Sequence, residues 1–268
     1  MIGWRSQVYL TELRNLITYR ADFWVNFFGQ TFFSLIIAYY LWNSIFSYAG
    51  QDVIQGYSIQ SMIFYYLTVP LIFRIQQGQG IGFLSREIYD GTLNKYILYP
   101  LEVYHYKLTT YLAHASFYLV QLLLIISVYN FFYYDPLIYT FSVINTLAFL
   151  MAMIVSSITF FYLFTLCEVL AFWFDNICSL GVILRFGTSF FGGALIPLSF
   201  FPEDMRYILS FTPFPYLIDF PMKSLLGTTT VSTYFITLSI SITWLFFFRY
   251  LSITLWNKGQ LKYTGVGI

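Results

Sequence analysis

Apolar positions along this chain run in long unbroken blocks, and charged positions gather in the gaps between them. Between Asp22 and Asp52 lie 29 uncharged residues; Val53 to Phe73 gives 21, Leu108 to Tyr134 27, Pro136 to Cys167 32 and Ser224 to Phe248 25. Between Asp175 and Glu203 the single charge is Arg185. About 20 mostly apolar residues in helical form cross a bilayer's hydrocarbon core, so each block predicts one crossing, the 32-residue block being too short for two. Six transmembrane helices are therefore predicted, at residues 23–46, 57–76, 108–132, 138–164, 177–197 and 230–255. The blocks are continuous and do not alternate in segments of about ten residues, which disfavours a lipid-facing barrel. A helix also satisfies its own backbone in hydrocarbon. Pro70 falls inside the second span and predicts a bend there, a packing kink in preference to a gating hinge.

Four segments outside the spans carry their own patterns. In residues 1–22, Tyr9, Leu10, Leu13, Leu16 and Ile17 share one helical face, opposite Gln7, Thr11, Asn15 and Thr18. That spacing predicts an amphipathic helix lying in the membrane interface. The segment 77–107 is the longest polar stretch, and its centre from Arg86 to Leu101 mixes charges with Leu93, Tyr96, Ile97, Leu98 and Tyr99. A short helix docking on another protein accounts for such a mixture; a loop folded under its own membrane domain is the other reading. Gly91 is placed to end a helical turn. In residues 198–228, Pro202, Pro213, Pro215 and Pro221 cut an apolar stretch into pieces too short to cross, which predicts short re-entrant helices before the last span. The tail from Trp256 to Gly267 carries an interfacial tryptophan with Lys258 and Lys262.

Lys and Arg positions orient the bundle. Ten of them (Arg5, Arg14, Arg20, Arg74, Arg86, Lys95, Lys107, Arg249, Lys258 and Lys262) fall on one side of the six-span topology, against Arg206 and Lys223 on the other. By the positive-inside rule both termini are expected in the cytoplasm, in a multi-pass protein of the cytoplasmic membrane. Residues 1–20 lack the apolar run of a cleavable signal peptide.

Composition narrows the classes further. The 268 residues are 59% hydrophobic, 23% aromatic and 9% charged. A soluble monomer cannot hide that much apolar surface, and disorder requires the opposite composition. A net charge of +1 without a basic run excludes a nucleic-acid module. Cys167 and Cys178 have neither disulfide-scaffold nor zinc spacing.

Catalytic chemistry is largely missing. The chain has no Walker motif, no H-E-x-x-H and no G-x-S-x-G. Gly78, Gly80 and Gly82 follow a membrane span and lack the dinucleotide register. His105 and His114 cannot supply a multi-haem membrane protein, and no His/Cys/carboxylate cluster suggests zinc. No catalytic, cofactor-binding or metal-ligating residue is therefore assigned. Arg185 inside the fifth span, with Glu168 and Asp175 at the connection before it, is the candidate intramembrane ion pair, either structural or part of a transport path. Span one is dense in aromatics, including Phe32, Phe33, Tyr39, Tyr40 and Trp42, for which lipid contact is a sufficient account.

In combination these pieces resemble the permeases of ABC-2-type exporters, in particular the six-span family that includes viologen-type exporters. The resemblance rests on YRADF at Tyr19–Phe23, GTLNKYILYPL inside the Arg86–Leu101 loop, GGALIPLSFFP and FPYLIDFP before the last span, and the tail Lys262 to Gly267. It covers nearly the whole chain as one permease domain, 1–268. It implies an all-α polytopic membrane protein of six spans with an amphipathic N-terminal helix and re-entrant outer helices. It also implies a dimer of permeases, identical or related, driven by separate ATPase subunits that bind ATP and Mg, so that the chain is not an enzyme by itself. The Arg86–Leu101 segment becomes the coupling helix, with Arg86, Glu87 and Asp90 as polar contacts, Gly91 at its turn, and Leu93, Tyr96 and Tyr99 as apolar contacts. The alternatives from other classes are an ion-coupled carrier and a lipid-modifying membrane protein without an ATPase partner.

Overall fold

The computed structural model describes residues 3–18, 20–78, 83–96, 102–132, 142–174 and 177–263. Among them are eleven α-helices: α1 (Trp4–Thr18), α2 (Arg20–Ala49), α3 (Ile59–Gln77), α4 (Phe83–Tyr89), α5 (Val103–Phe132), α6 (Val143–Val169), α7 (Cys178–Phe191), α8 (Glu203–Ser210), α9 (Phe214–Leu217), α10 (Asp219–Leu226) and α11 (Val231–Gln260). Short 3-10 turns lie at Thr92–Tyr96, Leu170–Phe172 and Leu198–Phe200. No strand occurs among the described residues beyond an isolated bridge between Ile54 and Tyr57. The all-helical expectation therefore holds.

Among the described residues, four stretches are long and apolar enough to cross a membrane: Phe32–Ala49 of α2, α5, Val143–Phe172 including α6, and α11. They coincide with the first, third, fourth and sixth predicted spans. The other two predicted spans differ in kind. The fifth, expected over 177–197, stops as a helix at Phe191 after 14 residues, about 21 Å of rise. It ends there because Gly192 and Gly193 turn the chain, Gly193 at φ +95°, a conformation that a side chain disfavours. The second, α3, is 19 residues long and continuous through Pro70, but it carries polar groups inside the bundle and is not among the four.

The position of α3 explains its composition. Met62, Tyr65, Val69, Ile72 and Ile75 are buried in one core with Trp42 and Phe46 of α2, Tyr111 and Leu122 of α5, Phe149 and Phe160 of α6, and Leu217 and Met222 of α9 and α10. Its polar side chains find partners in protein: the Tyr65 hydroxyl donates to the Gly193 carbonyl, Tyr66 donates to the Leu195 carbonyl at 2.6 Å, and the Gln76 amide donates to the Leu217 carbonyl. Hydrocarbon offers no such partners. Much apolar surface lies outside instead, with Phe32, Phe33, Ile37 and Tyr40 of α2 and Val182, Ile183 and Phe186 of α7 exposed.

The segment 198–228 forms α8, α9 and α10, and α10 is almost wholly buried against α6. Helix α11 packs on α6, tied near its start by Tyr234 donating to the Ala148 carbonyl at 2.9 Å. At the other end of the chain, α1 lies against α5. Tyr9 and Ser116 share a hydrogen bond of 2.6 Å, and Glu12 approaches His114 at 3.7 Å. Of the predicted apolar face, Tyr9, Leu13 and Leu16 are half-buried while Leu10 and Ile17 are exposed. Packing on α5 selects a stripe that includes Val8 and Glu12, a choice that apolar spacing alone does not reveal.

Candidate functional site

The Arg86–Leu101 segment begins within α4. Leu84 and Ile88, one helical turn apart, point to the same side, and both are buried. The helix ends at Asp90, whose N–H donates to the Arg86 carbonyl at 2.8 Å, and Gly91 takes φ +68° to reverse the chain. The 3-10 turn then brings Leu93 beside them. Leu84, Ile88 and Leu93 form one cluster with Val169, Ala171 and Phe172 at the end of α6, Ile177 before α7 and Trp256 of α11. Tyr89 adds a hydrogen bond to the Phe174 carbonyl at 2.8 Å. Three apolar side chains thus seat a short helix against the ends of two long ones.

Charge completes the anchorage. The Glu87 carboxylate meets Lys95 at 2.8 Å and Lys107 at 2.9 Å, and the Tyr96 hydroxyl donates to it at 2.9 Å. Lys107 belongs to α5, so this cluster ties α4 and its following turn to the start of that helix. Burial by itself pushes the Glu87 carboxyl up, but Lys95, Lys107 and Tyr96 together outweigh it and hold the group below its ordinary value. The Tyr96 phenol is raised, first by burial and then by the Glu87 charge.

Because the folded-state pKa of Glu87 is lowered, the carboxylate stabilises the fold above its unfolded value, and this is lost as pH falls through the folded value. Glu87→Gln should cost about 1.5–3 kcal/mol at neutral pH, the range for hydrogen bonds to charged groups. Melting curves of both proteins should show a gap that is constant above the ordinary value of 4.5 and closes on acidification below it. A gap independent of pH would contradict the assignment.

The predicted site residues therefore divide. Glu87, Leu93 and Tyr96 turn toward their own protein, Gly91 makes the turn, and Arg86 and Asp90 remain exposed. Tyr99 lies outside the described residues. Arg86 and Asp90 are four residues apart on a face away from Leu84 and Ile88, so the helix offers one basic and one acidic group outward. Lys95, Lys107, Phe172 and Trp256 belong to the site although sequence reading did not assign them to it. The signal for the lysines was a lone glutamate between basic residues, whereas the two aromatics had none.

Of the intramembrane trio, Glu168 is half-buried in the last turn of α6, Arg185 is exposed on α7, and Asp175 lies outside the described residues. No ion pair joins Glu168 to Arg185 among the described residues. A pair that sequence reading missed lies in α10, where Lys223 meets the buried Asp219 at 2.7 Å. No group of three or more metal-ligating side chains occurs among the described residues.

Beside the α4 cluster a cavity of about 580 Å³ opens between the start of α5 and the end of α11, with Leu93 and Tyr96 in its wall. The arrangement is a short helix with one face buried and the other exposed, beside a chamber. The family described as ABC-2 family transporter protein matches residues 32–267. No curated protein and no solved structure matches the chain.

Proposed function

The chain belongs to the ABC-2 transporter family, and from that premise we propose that it is the transmembrane permease subunit of an ATP-binding cassette exporter. Two permeases, identical or related, form the substrate pathway, and separate ATPase subunits bind ATP and Mg and supply the energy. The chain crosses the cytoplasmic membrane six times with both termini in the cytoplasm. Helices α3 and α7 complete the four apolar spans. A protein-lined position suits α3, whose Tyr65 hydroxyl and Gln76 amide donate to carbonyls inside the bundle. The short α7 packs against α9, so protein covers the chain where α7 stops.

The observation that carries this reading is the division of α4 into an anchored face and an offered one. An ATPase grips Arg86 and Asp90, while Leu84, Ile88 and Leu93 pass its movement to the ends of α6 and α11. The Glu87 cluster carries the same movement into α5. ATP-driven closure of the two ATPases then shifts the paired bundles between an inward-open and an outward-open arrangement. Such coupling requires the ATPase to contact the two arrangements differently, and a rigidly seated helix meets that requirement better than a free loop.

Reversing both offered charges, Arg86→Glu with Asp90→Lys, should leave the melting temperature within about 2 °C, since exposed substitutions change stability little. It should reduce co-purification of the ATPase about tenfold, the cost of opposing like charges at an interface. Undiminished co-purification would remove α4 as the docking helix. Uphill transport by the purified chain in vesicles without ATPase would replace the exporter reading with an ion-coupled carrier.

A further inference from the structure

The cavity beside α4 is not accounted for by docking or by force transmission. Its walls come from four places: the turn holding Tyr96, the start of α5 at Tyr104, Tyr162 of α6, and Arg249, Trp256 and Tyr263 at the end of α11 and beyond. We propose that it binds the phosphodiester headgroup of an amphiphile drawn from the adjacent leaflet.

Size comes first. About 580 Å³ lies within the range of small-molecule sites, roughly 300–1,000 Å³, and suffices for a headgroup and the first carbons of its chains. Its depth fits as well. Arg249 lies 18 residues after Val231, about 27 Å along α11, close to the far edge of a hydrocarbon core about 30 Å thick. Headgroups sit at that level.

The lining chemistry selects the charge. Arg249 supplies a permanent cation whose planar fork suits oxyanions, and it lines the cavity together with Tyr162. The Tyr263 hydroxyl is buried and has no hydrogen-bond partner among the described residues, leaving a donor for a ligand oxygen. Glu102 also lines the cavity but is engaged by His105. One cation with neutral donors matches the single charge of a phosphodiester better than the double charge of a phosphate monoester. Tyr104 and Trp256, edge to face at 5.4 Å, give the apolar wall that glycerol and acyl carbons require.

That the leaflet is the cytoplasmic one rests on the permease reading; binding itself does not. The test is native mass spectrometry of the full-length, delipidated protein in neutral detergent, titrated with dioleoylphosphatidylglycerol or with phosphate-free dioleoylglycerol. The phospholipid should be retained and dioleoylglycerol lost. Arg249→Gln should weaken retention about tenfold or more, the effect of losing a charge-assisted hydrogen bond. Ile253→Trp, which fills the cavity and keeps Arg249, should do the same, while Arg185→Gln on the exposed face of α7 should not. Melting temperatures identify any variant that misfolds, and the second variant then decides. Equal retention by the variants and the wild type, equal retention of dioleoylglycerol, or displacement by inorganic phosphate at the lipid's own concentration would each overturn the proposal. Failure of the wild-type chain to co-purify with any ATPase, with lipid retention intact, would instead sink the permease reading and leave this site standing.

Discussion

Ile88→Asp should release α4 from its seat while leaving its outward charges unchanged. Ile88 is 1% exposed and packs with Leu84 and Leu93 in the cluster of Phe172 and Trp256. An unpaired carboxylate in that setting costs several kcal/mol, more than a short helix with one ionic cluster can offset. The helix should therefore detach locally before the membrane spans melt. Trypsin should then cut at Arg86 and Lys95 at least tenfold faster than in the wild type, with ATPase co-purification lost as well. Ile88→Ala should give an intermediate result, a loss of about 2–5 kcal/mol for an emptied core position. Unchanged cleavage in Ile88→Asp would mean that α4 is not held by this cluster.

Gly192→Ala should be a damaging single methyl on the opposite side of the bundle. A Cβ there collides with the Thr188 carbonyl and lies 3.1 Å from the Phe214 carbonyl and 3.2 Å from Ile218 Cδ1. Two of these are backbone atoms that cannot swing aside, so the junction of α7 with α9 must open. Overpacking of this kind costs about 1–3 kcal/mol, lowering the melting temperature by several degrees. Gly187→Ala supplies the contrast. Its Cβ meets only Phe191 at 4.0 Å, and an alanine within a helix is favoured over glycine by about 1 kcal/mol. That variant should be as stable as the wild type or more so. If both variants melted alike, the close approach at Gly192 would carry no weight.

The spans and the α4 segment differ in how far they could be read from residues alone. Charge gaps located α2, α5, α6 and α11 because expelling charge from hydrocarbon is a local requirement, met residue by residue. The same rule could not tell α3 from the others, since its interior position depends on which helices surround it. In the α4 segment, the apolar residues of Arg86–Tyr96 are evident from the sequence, but the direction in which Leu93 and Tyr96 point is not. They face inward because Phe172, Trp256, Lys95 and Lys107 converge on them, and of these only the lysines are near in sequence.

Composition and periodicity by themselves determined that this is a helical membrane protein, where its long apolar helices run and where a polar segment interrupts them. Each of these follows from transferring individual side chains between water and hydrocarbon. Only the tertiary structure decided that α3 lies inside, that α7 stops at Phe191, that Glu87 is held by two lysines while Arg86 and Asp90 stay exposed, and that a chamber opens beside Arg249. Those outcomes depend on pairs of groups far apart along the chain, and the free energy of such a pair exists only once the helices have met.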